Sequence, residues 1–245
     1  WVYDWVCVGE GRVEREIIVM MNTKSTIKRQ YGFVKKEWNN KGYKSFGIEK
    51  TVRLLLVILP FLDLGLYLRN CFQGEKKLKS RKIATDAYVV LNMLFPLMVL
   101  YFGWYNCKIV VWICFYFGVM TLLVLLSMSF LLDLIPRAIS NQRNVICLFL
   151  NYCQIVFLFA VLYLGLASDG FGSDGEIMKL GPLKAIYLSL EVFTSVGFGD
   201  VVPLTSTAYK ILIVQMFVQV IFVYLLFVIF IGRQGDSTFY NRKSK

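Results

Sequence analysis

The chain has 245 residues, of which 57% are hydrophobic and 18% charged, with a formal net charge of +11, six cysteines and no histidine. Its mean hydropathy is +0.59, whereas a soluble domain is roughly 45–50% apolar and about 25% charged. This balance excludes a secreted disulfide scaffold, a disordered chain and a soluble enzyme built on a single core. It points to a polytopic membrane protein.

The missing histidines remove the commonest metal ligand and general base. Cys7, Cys71, Cys107, Cys114, Cys147 and Cys153 form no C-x-x-C pair and read as packed thiols. No nucleophile motif is present, so no enzyme activity and no cofactor are expected. The N-terminal residues 1–50 form a basic segment, of which residues 1–19 are assigned no role. Residues 22–53 carry nine Lys or Arg against Glu37 and Glu49, a net charge of +7, with Tyr31, Phe33, Trp38, Tyr43 and Phe46 interleaved. Such a stretch suits the cytoplasmic face or the surface of an anionic leaflet rather than nucleic acid.

Five apolar runs follow: 54–68, 84–105, 109–135, 145–167 and 209–231. The last four have 22, 27, 23 and 23 residues. At about 1.5 Å per residue, each is long enough to cross a hydrocarbon core of roughly 30 Å. The first has 15 residues and contains Pro60 and Asp63; a run that does not cross fully is the favoured reading, and a span with local thinning of the bilayer is the alternative. The connection 69–82 has a net charge of +5, Arg137 and Arg143 give +2, and residues 233–245 give +3. Residues 168–184 have a net charge of −1, and 105–108 carry one Lys. By the positive-inside rule the three basic segments are cytoplasmic and the other two are outside. A voltage sensor needs a repeating Arg or Lys ladder, and residues 109–136 hold neither residue. Segment 51–144 is therefore read as additional membrane helices and not as a sensor. Asp63 and Asp133 read as helix-end features, with Asp133 able to pair with Arg137.

Between the last two runs lies Gly181-Pro-Leu-Lys-Ala-Ile-Tyr-Leu-Ser-Leu-Glu-Val-Phe-Thr-Ser-Val-Gly-Phe-Gly-Asp200. Pro182 suits the first position of a helix, and 183–194 gives about three turns, too short to span. This segment must enter and leave by the same face, and its irregular end must be buried or line a water-filled path. Glycines at alternate positions, Gly197 and Gly199, let successive carbonyls aim one way. Rings of such carbonyls can replace the hydration shell of a monovalent cation.

Here the sequence resembles the pore domain of potassium channels, whose filter reads Thr-Val-Gly-Tyr-Gly-Asp. This chain reads Ser195-Val196-Gly197-Phe198-Gly199-Asp200 after Thr194. The resemblance covers 145–232 in the order outer helix, acidic turret, pore helix, filter, Val-Val-Pro turn, inner helix. Residues 233–245 would be a short cytoplasmic tail. The resemblance implies an all-α membrane fold with a tetrameric pore. It implies that K+ is ligated by the carbonyls of Ser195, Val196, Gly197 and Phe198 and by the Ser195 hydroxyl, with Gly199 opening the mouth. Phe198 departs from the family Tyr and lacks the phenol that holds the filter's width. Glu191 and Asp200 occupy the places of an acid pair that, in part of the family, shares a proton behind the filter. Thr194 and Tyr187 complete the expected filter support, Tyr187 through a bond to Asp200.

For Glu191, a carboxylate facing a watery vestibule is the alternative. Gln215 and Gln219 are four apart and share a helix face. They are expected to line the ion pathway below the filter. The alternative is an interhelical bond away from it.

The function expected is a homotetrameric, potassium-selective channel of the plasma membrane, multi-pass and passive, with K+ as the permeant ion. Phe198 and Ser195 motivate the alternative of a weakly selective monovalent cation channel. A non-conducting, channel-like subunit is the alternative of another class.

Overall fold

The computed structural model describes residues 26–39, 46–65, 67, 78–130, 141–173 and 176–240. The expectations for Tyr43, for the Asp133–Arg137 pair and for residues 1–25 and 241–245 lie outside the described residues. The chain falls into two compact units, Trp1–Val89 with Met120–Val145, and Val90–Val119 with Ile146–Lys245.

In the first unit, helix α1 (Thr26–Trp38) packs on helix α2 (Ile48–Ile58). Leu56 and Val57 are buried, with Phe33, Val34 and Leu126 against them. The contact also buries polar groups, most of which are matched, while Gln30 Oε1 has no partner among the described residues. Gln30 donates to the Val57 carbonyl at 2.7 Å. Ser127 donates to the Leu56 carbonyl at 3.1 Å. Arg53 meets Glu37 through two N–H···O bonds of 3.1 and 3.3 Å. Both of those side chains are buried, and a buried ion pair is tolerated only with such geometry.

The run 54–68 is broken within the described residues. Helix α2 gives way to a 3-10 turn, Leu59–Leu62, that holds Pro60. Proline has no N–H to continue an α-helix, and its ring crowds the preceding turn. Asp63 follows in extended conformation and ends the turn. It accepts the Gly65 amide and the Tyr88 hydroxyl, each at 3.1 Å. Asp63 is thus a helix-end residue, as its sequence context suggested.

Helices α3 (Leu78–Phe102) and α4 (Lys108–Phe130) contribute to both units. Among the described residues three helices are long and apolar enough to cross a membrane, over Lys108–Ser127, Val145–Ala167 and Ser206–Leu225. The apolar part described in α3, Ala87–Phe102, is shorter.

The second unit is built around helix α5 (Asn141–Ala167). From Gln154 to Leu164 every side chain except Phe157 is buried. Gly165 lets α4 approach closely: a Cβ there would lie 2.5 Å from Val111 and 3.1 Å from the Tyr105 carbonyl. Small residues serve this purpose in membrane helix packing.

After α5 the chain forms strands β1 (Phe171–Ser173) and β2 (Glu176–Met178), then helix α6 (Pro182–Thr194). Strand β3 (Val202–Pro203) and helix α7 (Ser206–Tyr240) complete it. The strands make one antiparallel sheet in the order β2-β1-β3. Phe171 pairs with Met178 on one side and with Pro203 on the other. The expected turret is therefore a small sheet that includes Val202 and Pro203 of the expected Val-Val-Pro turn. Helix α7 also runs on through Gly232, where the sequence suggested an end. Glycine weakens a helix interior by only about 1 kcal/mol, which the flanking residues outweigh.

Candidate ion-conduction site

The short helix α6 is held by an aromatic wedge. Its Phe193 ring lies 5.2 Å from Tyr152 and 6.3 Å from Phe159 on α5, and 6.0 Å from Phe222 on α7. Edge-to-face and tilted aromatic pairs of this kind add roughly 0.5–1.5 kcal/mol each beyond their buried area. A polar clamp lies on the same side of the helix. Ser189, wholly buried, donates to the Val156 carbonyl at 2.8 Å. Gln215 donates to the Ser189 carbonyl at 2.8 Å and accepts the Tyr163 hydroxyl. One glutamine thus joins α5, α6 and α7.

This corrects the expectation for Gln215. With none of its surface exposed, it cannot line an ion pathway. It takes the alternative role of an interhelical bond, because its amide satisfies two polar groups that would otherwise be buried bare. Gln219 behaves differently. It is only partly buried, and its amide donates to the Ser195 hydroxyl oxygen. The two side chains occupy the same general face, but one lies under α6 and the other at its end.

Helix α6 starts at Pro182 and ends in a left-handed cap at Ser195, with φ 57° and ψ 28°. The Ser195 amide bonds to the Val192 carbonyl and the Val196 amide to the Glu191 carbonyl, both at 3.2 Å. This is the Schellman pattern, in which the left-handed position is usually glycine. A serine there carries a conformational cost of about 1–2 kcal/mol. Gly197 and Gly199 then have φ of 64° and 75°. Among the described residues, Ser195 is the one non-glycine residue with positive φ. The sign of φ therefore alternates along 195–199. Val196 and Phe198 are 52% and 71% exposed on the single chain, and the whole stretch 194–200 is exposed.

Two carboxylates flank this strand. Glu191, 7% exposed, accepts the Gly199 amide at 3.1 Å through Oε1, while its buried Oε2 has no partner. Asp200 accepts the Tyr187 hydroxyl at 3.1 Å. The hydrogen bonds of the two acids thus go to the Gly199 backbone and to Tyr187. Desolvation, the bond to Asp200 and the charges of Asp200 and Glu191 raise the Tyr187 phenol above its ordinary value. It remains a neutral donor. The Tyr187 ring also lies parallel to Phe198, 10° between planes and 6.4 Å between centroids. Thr194 turns its hydroxyl back to the Leu190 carbonyl at 2.8 Å, so it closes the helix end.

Sequence reasoning missed the hold that the chain beside the sheet has on the turn beyond the strand 195–200. The Gly170 carbonyl accepts both the Leu204 amide at 2.8 Å and the Thr205 amide at 3.3 Å. Strands of two or three residues carry no readable alternation. The described residues include no cluster of His, Cys, Asp or Glu able to hold a metal.

No curated protein matches the chain, and no solved structure matches it. Residues 145–236, which take in most of α5, the sheet, α6, the exposed strand and most of α7, match the family model described as "Ion channel".

Proposed function

We propose that the chain is one subunit of a homotetrameric, potassium-selective channel that conducts K+ passively across the plasma membrane. The reading rests on the strand Ser195–Asp200 at the end of α6. Its alternating φ signs are what a strand needs to aim successive carbonyls to one side. One strand supplies one carbonyl per ring, so four chains are needed for a complete cation cage. The strand is exposed on the single chain, as are Ile213, Met216, Phe217 and Val220 of α7 and Leu183 of α6. Partner copies would cover part of these surfaces. The C-terminal end of α6, negative by its dipole, favours a cation beneath the filter. Asp200 would sit at the outer mouth, where an exposed carboxylate concentrates cations.

A weakly selective cation channel is the second reading, and Phe198 favours it. Its ring has no hydroxyl to bond α6, and its described ring contact is a stack on Tyr187.

Reconstitution into planar bilayers, with potassium on one side and sodium on the other, tests both readings. A reversal potential near the potassium equilibrium value, with current lost in Gly197→Asp, is the expected result. A reversal near zero would favour the weakly selective channel. Silence under every condition, with the protein folded and assembled, would overturn both in favour of a non-conducting subunit.

A further inference from the structure

Gln219 does something that a generic filter does not require. It sits on α7, the helix expected to line the pathway, and its amide N–H is aimed at the Ser195 hydroxyl oxygen. That oxygen has two acceptor lone pairs and one proton to give. If Ser195 ligates the innermost ion, as the filter reading holds, the lone pairs are what the ion needs. An N–H donor on the same oxygen occupies one of them and brings the positive end of a dipole close to the ion.

The backbone that carries the Ser195 hydroxyl is held in place. It is fixed in the left-handed cap by its amide bond to Val192 and by the following amide bond to Glu191. Thr194 offers no second hydroxyl at this level, because its own is bonded back to Leu190. Gln215, one turn earlier on α7, is wholly buried and occupied with Ser189 and Tyr163. Among the described hydrogen bonds of α7, the one that reaches the strand 195–199 is that of Gln219.

We propose that Gln219 is a positioning residue for the inner end of the filter: its bond to the Ser195 hydroxyl weakens the grip of that oxygen on a permeant cation. Ion occupancy at the inner site then depends on where α7 stands, since displacing the helix breaks the bond and frees the oxygen. The proposal rests on the reading of Ser195–Gly199 as an ion filter.

The test is a KCl titration of the thermal unfolding of the purified full-length assembly, with NaCl holding ionic strength constant, paired with bilayer currents. Gln219→Leu should shift the potassium midpoint about two- to tenfold towards tighter binding, the range expected for release of one hydrogen bond. Gln219→Asn, one methylene too short to reach, should do the same and decides the matter if the leucine variant misfolds. In a Ser195→Ala background, Gln219→Leu should produce no further shift. An unchanged midpoint in Gln219→Leu or Gln219→Asn, or an equal shift with and without the Ser195 hydroxyl, would overturn the proposal alone. Wild-type protein that neither conducts nor responds to potassium would overturn the filter reading, and this proposal with it.

Discussion

The Glu191 carboxylate accepts the amide of Gly199 at 3.1 Å, so the last turn of α6 holds the outer end of the strand it launches. The bond joins positions eight apart along the chain, across the exposed strand. Its other oxygen is buried without a partner. Glu191→Gln keeps an acceptor for Gly199 and should fold and conduct. Glu191→Ala leaves that amide bare, at a cost of about 1–3 kcal/mol. It should lower the unfolding temperature in KCl and shorten the conducting state in bilayer recordings. Equal behaviour of the two variants would show that the bond does not hold the strand.

Tyr187 acts through two separable contacts, the hydroxyl on Asp200 and the ring on Phe198. Tyr187→Phe removes the first and keeps the second. It should retain current but relax the discrimination of potassium from sodium, read as a shift in reversal potential. Tyr187→Ala removes both and should relax it further. An unshifted reversal potential in both variants would remove Tyr187 from the support of the proposed filter.

Gln215 is a structural residue on this geometry. Gln215→Leu would leave the Ser189 carbonyl and the Tyr163 hydroxyl short of a partner in a buried place. About 1–3 kcal/mol should be lost for each group left unsatisfied. Differential scanning calorimetry should register a clear drop in unfolding temperature. The ion selectivity of whatever protein folds should be unchanged, which a pore-lining role would not allow.

The first unit depends on an ion pair hidden between α1 and α2. Arg53→Met leaves the Glu37 carboxylate buried alone and should cost about 3–5 kcal/mol. The double variant Arg53→Met/Glu37→Leu should recover most of the loss, since the pair's own net contribution is small. Urea titrations of the two variants and the wild type give the comparison. A double variant as unstable as the single one would mean that packing, not charge, holds these helices.

Much of this protein follows from sequence alone, because the signals are local. The lengths of the runs 109–135, 145–167 and 209–231 predict helices that can cross a bilayer, and α4, α5 and α7 contain such stretches. Pro182 and the alternating Gly197 and Gly199 act through backbone chemistry, so the start of α6 and the positive φ of the two glycines are legible from a few neighbouring residues, whereas the left-handed cap at Ser195 is not. Pro60 marks the break in the run 54–68 for the same reason. What sequence could not decide depends on contacts between distant segments. Gln215 and Gln219 are one turn apart and look alike on a helical face. Only the packing of α6 against α5 puts Ser189 and Tyr163 around the first and Ser195 beside the second. The partner of Glu191 is likewise a backbone amide that reaches it only because the strand folds back along α6. The sheet that ties Gly170 to Leu204 and Thr205 joins residues more than thirty positions apart through strands too short to announce themselves. Local conformation is written in single residues, whereas the pairing of buried polar groups is settled when helices meet and each donor must find an acceptor.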